Sequence, residues 1–312
     1  MAKTGQGSDF HPDDDAGVLR KAMKGLGTDE DAIIQVLGHR SNAQRQEIKR
    51  IYEVMFARNL IKDLKSELGG DLLKVILACM RPPAEFDARE LSKAMEGLGT
   101  DEELLIEIMC SRTTDELRAI KMAYEKKYKK TLEDSLKSET SGDFKRLMVS
   151  LTTCGRFEDS AVDLQKAEAD AKKLYNAGEK RWGTDEAVFN SILALQSYSQ
   201  LRAVFDMYVK VANKDIEDSI KSEMSGDLEA GMLAIVRIVK NSAEFFAKKL
   251  YKSMKGAGTN DDDLIRVLVS RSERNMDAIK KEFEKLYGQS LAQFIENDTS
   301  GDYKKMLLAL IS

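Results

Sequence analysis

One glycine-rich phrase written four times decides most of what this chain can become. Met23–Glu30 reads M-K-G-L-G-T-D-E, and close copies stand at Met95–Glu102 (M-E-G-L-G-T-D-E) and Met254–Asp261 (M-K-G-A-G-T-N-D). A looser copy, G-E-K-R-W-G-T-D-E, runs from Gly178 to Glu186. Such self-similarity marks a chain built from one supersecondary unit and overrides any domain count drawn from length. The second glycine of each loop serves as a ruler: Gly27, Gly99, Gly183 and Gly258. Forty residues after each stands an acid, Glu67, Glu139, Glu223 and Asp298, always shortly before a Gly-Asp pair.

Other positions hold the same register. Six after the ruler come Ile33, Leu105, Phe189 and Leu264; thirteen after it, Arg40, Arg112, Gln196 and Arg271; twenty-five after it, Tyr52, Tyr124, Tyr208 and Phe283. Core-type and loop-type positions repeat together, so the unit is a folded module of roughly seventy residues. A module this small is near the lower limit for a self-sufficient core, which predicts that the four pack as one body.

Inside the first unit the apolar residues follow a helical period. A short helix carries Leu19, Ala22 and Met23 until the glycines break it. Thr28 is expected to cap the second helix, whose acids Asp29, Glu30 and Asp31 suit a helix start. Ser41 opens a third helix and Leu60 and Leu64 mark a fourth that ends at Glu67. Asp71 is expected to cap a fifth, stopped by Pro82-Pro83. The expectation is all-α, five helices per unit. Its segments are a head at 1–15, repeats at 16–84 and 85–156, a polar connector at 157–167, and repeats at 168–240 and 241–312. The ruler spacing of 84 residues between the middle units, against 72 and 75, suggests two halves joined at the connector.

Composition narrows the function. The formal net charge is −4, which argues against direct electrostatic attachment to nucleic acid or anionic lipid. No apolar run approaches the roughly 18 residues of a spanning helix, and the N-terminus lacks the apolar core of a secretory signal. Cys79, Cys110 and Cys154 lack metal-type spacing and read as reduced thiols of a cytosolic protein.

The loops suggest chemistry of their own. Calcium takes six to eight oxygens, roughly speaking, and backbone carbonyls serve well; glycines allow a turn to aim carbonyls inward. The carbonyls of Met23, Gly25 and Gly27 with a bidentate Glu67 give a partly filled shell, which a lipid phosphate would complete. Affinities for calcium and membrane are then linked. Four bound divalent ions would carry the formal charge of −4 to about +4, concentrated at the loops. Leu26, Leu98 and Trp182 are apolar residues at the loop tips, suited to a membrane interface.

The four loops, the acid forty residues on, the S-G-D phrases and five helices per unit resemble the annexins over essentially the whole chain after residue 15. The resemblance implies a slightly curved disc with convex-face calcium loops that meet acidic phospholipid such as phosphatidylserine. Family ligands carry over to Met23, Gly25, Gly27 and Glu67; Met95, Gly97, Gly99 and Glu139; Gly178, Arg181, Gly183 and Glu223; and Met254, Gly256, Gly258 and Asp298. All but the acids would ligate through carbonyls. The third loop is longer, and Asp298 has a shorter side chain than the other acids. By resemblance Thr28 with Glu30, and Thr100 with Glu102, form secondary calcium sites; helix capping is the competing reading. Asp87, Glu107, Arg112 and Arg266 would line a hydrophilic channel or, more simply, form buried ion pairs.

The implied behaviour is that of a cytoplasmic protein, peripheral to membranes when calcium rises, with lateral self-association there. The alternative is a helical scaffold for protein partners, which leaves the register of loop and acid unexplained. An EF-hand would need alternating carboxylates in a D-x-D-x-D-G loop, and none is present. An enzyme is not indicated: His11 and His39 are isolated, and no P-loop or nucleophile elbow occurs.

Overall fold

The computed structural model describes residues 10–178, 184–256 and 258–312. All the regular structure among them is helical, in nineteen segments. Repeat one holds α1 (Pro12–Ala22), α2 (Glu30–His39), α3 (Asn42–Phe56), α4 (Leu60–Glu67) and α5 (Gly70–Cys79). Repeat two follows with α6 (Pro83–Ala94), α7 (Glu102–Ser111), α8 (Thr114–Tyr128), α9 (Leu132–Glu139) and α10 (Gly142–Thr152). Repeat three has α11 (Leu164–Ala177), α12 (Glu186–Leu193), α13 (Tyr198–Ala212) and α14 (Ile216–Glu223). Its fifth helix runs on into the first helix of repeat four as α15 (Gly226–Met254), broken at Asn241, whose φ of −157° and ψ of 92° are extended. Repeat four ends with α16 (Asp261–Arg271), α17 (Met276–Tyr287), α18 (Leu291–Asp298) and α19 (Gly301–Ile311). Five helices per repeat is thus the observed pattern.

Local chemistry explains the punctuation. Ser41 and Thr113 cap α3 and α8 in reciprocal capping boxes with Gln44 and Glu116, each satisfying two amides that the helix leaves open. Third helices end on a residue in the left-handed region, Ala57, Lys129, Asn213 and Gly288, a common helix stop. Two capping expectations fail. Asp29, not Thr28, caps α2, its Oδ1 accepting from the Ala32 amide at 2.9 Å. Asp71 lies inside the first turn of α5, and Gly69 takes the cap position with no side-chain bond. A capping hydroxyl reaches only amides two or three residues ahead, and Thr28 is turned elsewhere. α5 ends at Cys79, ahead of both prolines, and Pro83 opens α6. Because α1 begins at Pro12, Asp13–Asp15 belong to that helix and not to a head.

Tertiary contacts divide the chain into two compact units: Met1–Pro83 with Ala243–Ser312, and Ala84–Ser242. Repeats one and four share the first unit, and repeats two and three the second. The expected division at the connector is therefore wrong; the connector lies within the second unit. In the first unit α19 packs on α2 and α5, and α16 on α5. Gly38 of α2 is so close to α19 that a Cβ there would come within 2.6 Å of the Ala309 Cβ. In the second, α10 packs on α12 and α7. The register residues Ile33, Leu105, Phe189, Leu264, Tyr52, Tyr208 and Phe283 are all fully buried. The three cysteines are buried as thiols. No described helix is long and apolar enough to cross a membrane.

Candidate metal centres

Each loop is tied at its base by one amide bond. Asp29 N donates to Ala22 O at 3.0 Å, Asp101 N to Ala94 O at 2.8 Å, and Asn260 N to Ser253 O at 2.7 Å. The third loop closes from Asp185 N to Ala177 O at 2.8 Å, one residue longer. Both glycines of the first loop lie at positive φ, +118° for Gly25 and +85° for Gly27, as do Gly97 (+98°) and Gly99 (+94°), Gly256 (+120°) and Gly258 (+97°). A Cβ at any of these six would meet nothing within 4 Å. What demands glycine is therefore the backbone conformation, which L side chains resist, and not crowding.

The four acids occupy one structural position. Glu67, Glu139, Glu223 and Asp298 are the last residues of α4, α9, α14 and α18. The carbonyl end of a helix carries partial negative charge, so a carboxylate there is poorly placed unless a cation joins it. Among the described residues none of the four has a Lys or Arg partner at ion-pair distance.

What reaches each acid instead is the threonine after the ruler glycine. Thr28 Oγ1 donates to Glu67 Oε2 at 3.1 Å. Thr184 Oγ1 lies 3.2 Å from Glu223 Oε2 and 3.1 Å from its carbonyl. Thr259 Oγ1 donates to Asp298 Oδ2 at 2.5 Å. Repeat two differs: Thr100 Oγ1 bonds the Glu139 carbonyl at 3.1 Å, and the carboxylate takes Ser138 Oγ at 3.2 Å. Loop and acid are thus brought together by the fold, and the hydroxyls of Thr28 and Thr100 point at the fourth-helix end rather than at Glu30 and Glu102, which open α2 and α7. The role of Thr184 and Thr259 was missed from sequence; their constant place one residue past the ruler was the available signal.

Gly178 caps α11, and a Cβ on it would lie 3.6 Å from Glu223 Cγ, so the start of the third loop adjoins its acid. Arg181, Trp182 and Gly183 lie outside the described residues. Leu26 and Leu98 are fully exposed at their loop tips. Met23 and Met254 have buried side chains, which anchor the loop start while leaving the carbonyl role to the backbone. Among the described residues no group of three or more His, Cys, Asp or Glu could hold a metal. A centre made of carbonyls plus one carboxylate has no such group, and it suits a hard, oxygen-seeking cation.

Asp87 and Arg112 form a bidentate pair, Nε to Oδ2 at 2.6 Å and Nη2 to Oδ1 at 2.8 Å, with both side chains buried. Burial pushes the Arg112 guanidinium pKa down, but the Asp87 charge and hydrogen bonds overcome this and leave it raised. The same latch recurs in the other repeats. Arg40 Nε donates to Asp15 at 2.7 Å, and Gln196 Nε2 to Asp170 at 2.5 Å, while Arg271 stacks over Phe246 with 4.0 Å to the ring centroid. Glu107 is fully buried in α7. Arg266, buried in α16 of the other unit, donates to Asp263 at 2.6 Å.

Four helical repeats, each with an acid at the end of its fourth helix and a threonine bonded to that helix end, define a class of repeat proteins. The comparisons name it. A sequence profile described as Annexin matches residues 14–79, 86–151, 169–235 and 245–310. Annexin A4 of Bos taurus is 54% identical over 97% of this chain and 95% of its own length. The structure of annexin III superposes with a TM-score of 0.97 at 45% identity, covering 100% of this chain and 97% of that one. A calcium-bound annexin (Sm)1 superposes at 0.91 with 33% identity, covering 100% and 93%. The chain belongs to the annexin family, whose members are non-enzymatic and bind phospholipid in a calcium-dependent manner.

Proposed function

We propose that the four loop-and-acid sites hold calcium through the carbonyls at Met23, Gly25 and Gly27, Met95, Gly97 and Gly99, Gly178, Arg181 and Gly183, and Met254, Gly256 and Gly258, each set completed by its helix-terminal acid. The observation that supports this is the threonine bond from loop to fourth-helix end, made to the carboxylate in repeats one, three and four and to the Glu139 carbonyl in repeat two. Bound calcium supplies divalent charge and open coordination positions that phosphate oxygens of an acidic phospholipid such as phosphatidylserine can fill. The loop glycines hold their carbonyls in place, the acid neutralises part of the ion's charge, and Leu26 and Leu98 enter the interface beside it. Attachment is peripheral and reversible. Asp87 with Arg112 serves as a packing latch within its repeat, as Asp15 with Arg40 does.

The test is co-sedimentation with phosphatidylserine vesicles across a calcium series. The wild type should pellet only with calcium and return to the supernatant with chelator. A variant carrying Glu67→Gln, Glu139→Gln, Glu223→Gln and Asp298→Asn should remain soluble throughout. Sedimentation of that variant at wild-type calcium would overturn the assignment. Lateral self-association on the membrane is a separate proposal, and crosslinking on saturated vesicles that yields only monomers would dispose of it.

A further inference from the structure

The connector is not slack. Residues 153–163 fold back over repeats two and three and are pinned from both sides. Arg156 donates to the carbonyls of Gln196 at 2.7 Å and Leu193 at 2.8 Å, and Thr114 Oγ1 donates to Arg156 O at 3.0 Å. Ser199 Oγ donates to Asp159 O at 2.9 Å, and the Gln200 side-chain amide accepts from Asp163 N at 2.8 Å and donates to Asp163 O at 2.9 Å. Beneath this strap lies a cavity of about 340 Å³, within the size range of small-molecule sites.

Its chemistry is particular. The cavity is lined by Arg112, Arg156 and Arg202 and by the hydroxyl-bearing residues Ser111, Thr113, Tyr198 and Ser199. Arg112 is matched by Asp87. Arg156 and Arg202 form no ion pair among the described residues, although Glu158 attracts Arg156 from the same wall; their hydrogen bonds go to backbone carbonyls, that of Arg202 to Val239 O at 2.8 Å. Arg156 also stacks on the Tyr198 ring, 5.0 Å to the centroid, and its burial pushes the guanidinium pKa down. A cation in such surroundings gains most from an added anion. Guanidinium forks and hydroxyls together fit the oxygens of a phosphate group. Glu158 and Asp159 stand exposed in the same wall, accepting from the Thr114 and Ala161 amides. With Arg112 matched by Asp87, these two carboxylates offset Arg156 and Arg202 in net charge, so binding rests on directed guanidinium and hydroxyl hydrogen bonds, which suit one compact phosphate and not a polyanion. Phe157, 70% exposed, offers an apolar surface to the rest of the ligand.

We propose that this cavity is a calcium-independent site for a single phosphomonoester group. It lies at the end of α7 opposite the second loop, since Ser111 closes a helix of ten residues that rises about 15 Å. A phosphomonoester could come from a dissolved metabolite or from a lipid headgroup, and the experiment separates the two.

The full-length protein is titrated with phenyl phosphate in chelator, with binding followed by calorimetry, while phosphatidic acid vesicles are sedimented in the same buffer. Saturable binding of phenyl phosphate below about 10 mM, weakened about tenfold by Arg202→Gln, is the expected result. Vesicles that stay in the supernatant assign the site to a solute; vesicles that pellet, and cease to with Arg202→Gln, assign it to a headgroup. Ser199→Trp, which puts a bulky side chain into the cavity while both arginines are kept, should also abolish binding. It decides the matter if Arg202→Gln proves unfolded. Calcium-dependent sedimentation with phosphatidylserine must stay unchanged in the variant used. Absence of saturation with phenyl phosphate, or equal affinity in the wild type and the folded variants, overturns the proposal.

Discussion

Repeats one and four occupy the same compact unit yet lock their helices in different ways. In repeat one Tyr52 Oη donates to Asp63 at 2.7 Å, and Arg58 and Arg40 grip Asp63 and Asp15. In repeat four Phe283, Phe294 and Phe246 stand where repeat one has Tyr52, Asp63 and Asp15. Phe283 meets Phe294 at 5.4 Å between ring centroids, Tyr251 stacks on Tyr287 at 3.8 Å, and Arg271 lies over Phe246. Repeats two and three stand between, with neutral Tyr124–Ser135 and Tyr208–Ser219 bonds at 3.0 and 2.9 Å. One backbone accepts charged, neutral polar or aromatic contacts at the same sites. The difference matters when a partner is removed, because a broken polar contact leaves a buried group unmatched, whereas a trimmed aromatic leaves a void.

Breaking the most deeply buried pair should have the largest effect. Arg112→Ala strands Asp87 and should destabilise the protein by about 3–5 kcal/mol, read by chemical denaturation; Arg40→Ala, whose site is partly open to water, should fall well below that. A loss from Arg112→Ala no larger than from Arg40→Ala would erase the comparison.

The tyrosine position sharpens it next. Tyr52→Phe removes a bond to a carboxylate and should cost about 1.5–3 kcal/mol, and Tyr208→Phe about 1 kcal/mol. Adding Ser219→Ala to the latter should restore most of the loss, because both partners are then apolar. Burial and the neighbouring Asp63 push the Tyr52 phenol up to about 12 from the ordinary 10.0. The neutral phenol is therefore favoured by folding. Its contribution is whole below pH 10 and is lost as pH rises toward 12, so Tyr52→Phe should flatten that part of the alkaline stability curve.

The loops give the smallest effect and the most specific. Thr28→Val should weaken calcium binding at the first site about three- to tenfold, the worth of one ordinary hydrogen bond, because this one is only partly buried. Thr100→Val should change the second site less, since its hydroxyl holds only a carbonyl. Calorimetric calcium titration of the two variants distinguishes them.

The sequence disclosed what repeats. Loops, acids and core positions share a register, and their roles in helix ends and packing follow from local chemistry. It misplaced the cap of α2, because Thr28 and Asp29 are both good capping residues and only the long-range bond to Glu67 decides between them. The grouping of repeats was equally hidden. An interval of 84 residues between rulers looks like a hinge in one dimension, but Arg156, Thr114 and Ser199 tie that segment down within one unit. The recurrent Asp-to-Arg latch was half visible: Arg40 and Arg112 were in register, but their partners Asp15 and Asp87 precede the ruler by twelve residues, and the substitutions at Gln196 and Phe246 blur the pattern.

The amide bond at the base of each loop has an engineering consequence. It spans seven residues in repeats one, two and four and eight in repeat three, and in every case the helices on either side keep their register. The tip behaves as a cartridge seated in a fixed socket. Extra residues there add little closure entropy, about 0.6 kcal/mol for each doubling of length. A foreign lipid- or peptide-recognition sequence could therefore be carried between Lys24 and Gly27 at the expense of that one proposed site, leaving the other three loops and the helical frame as they are.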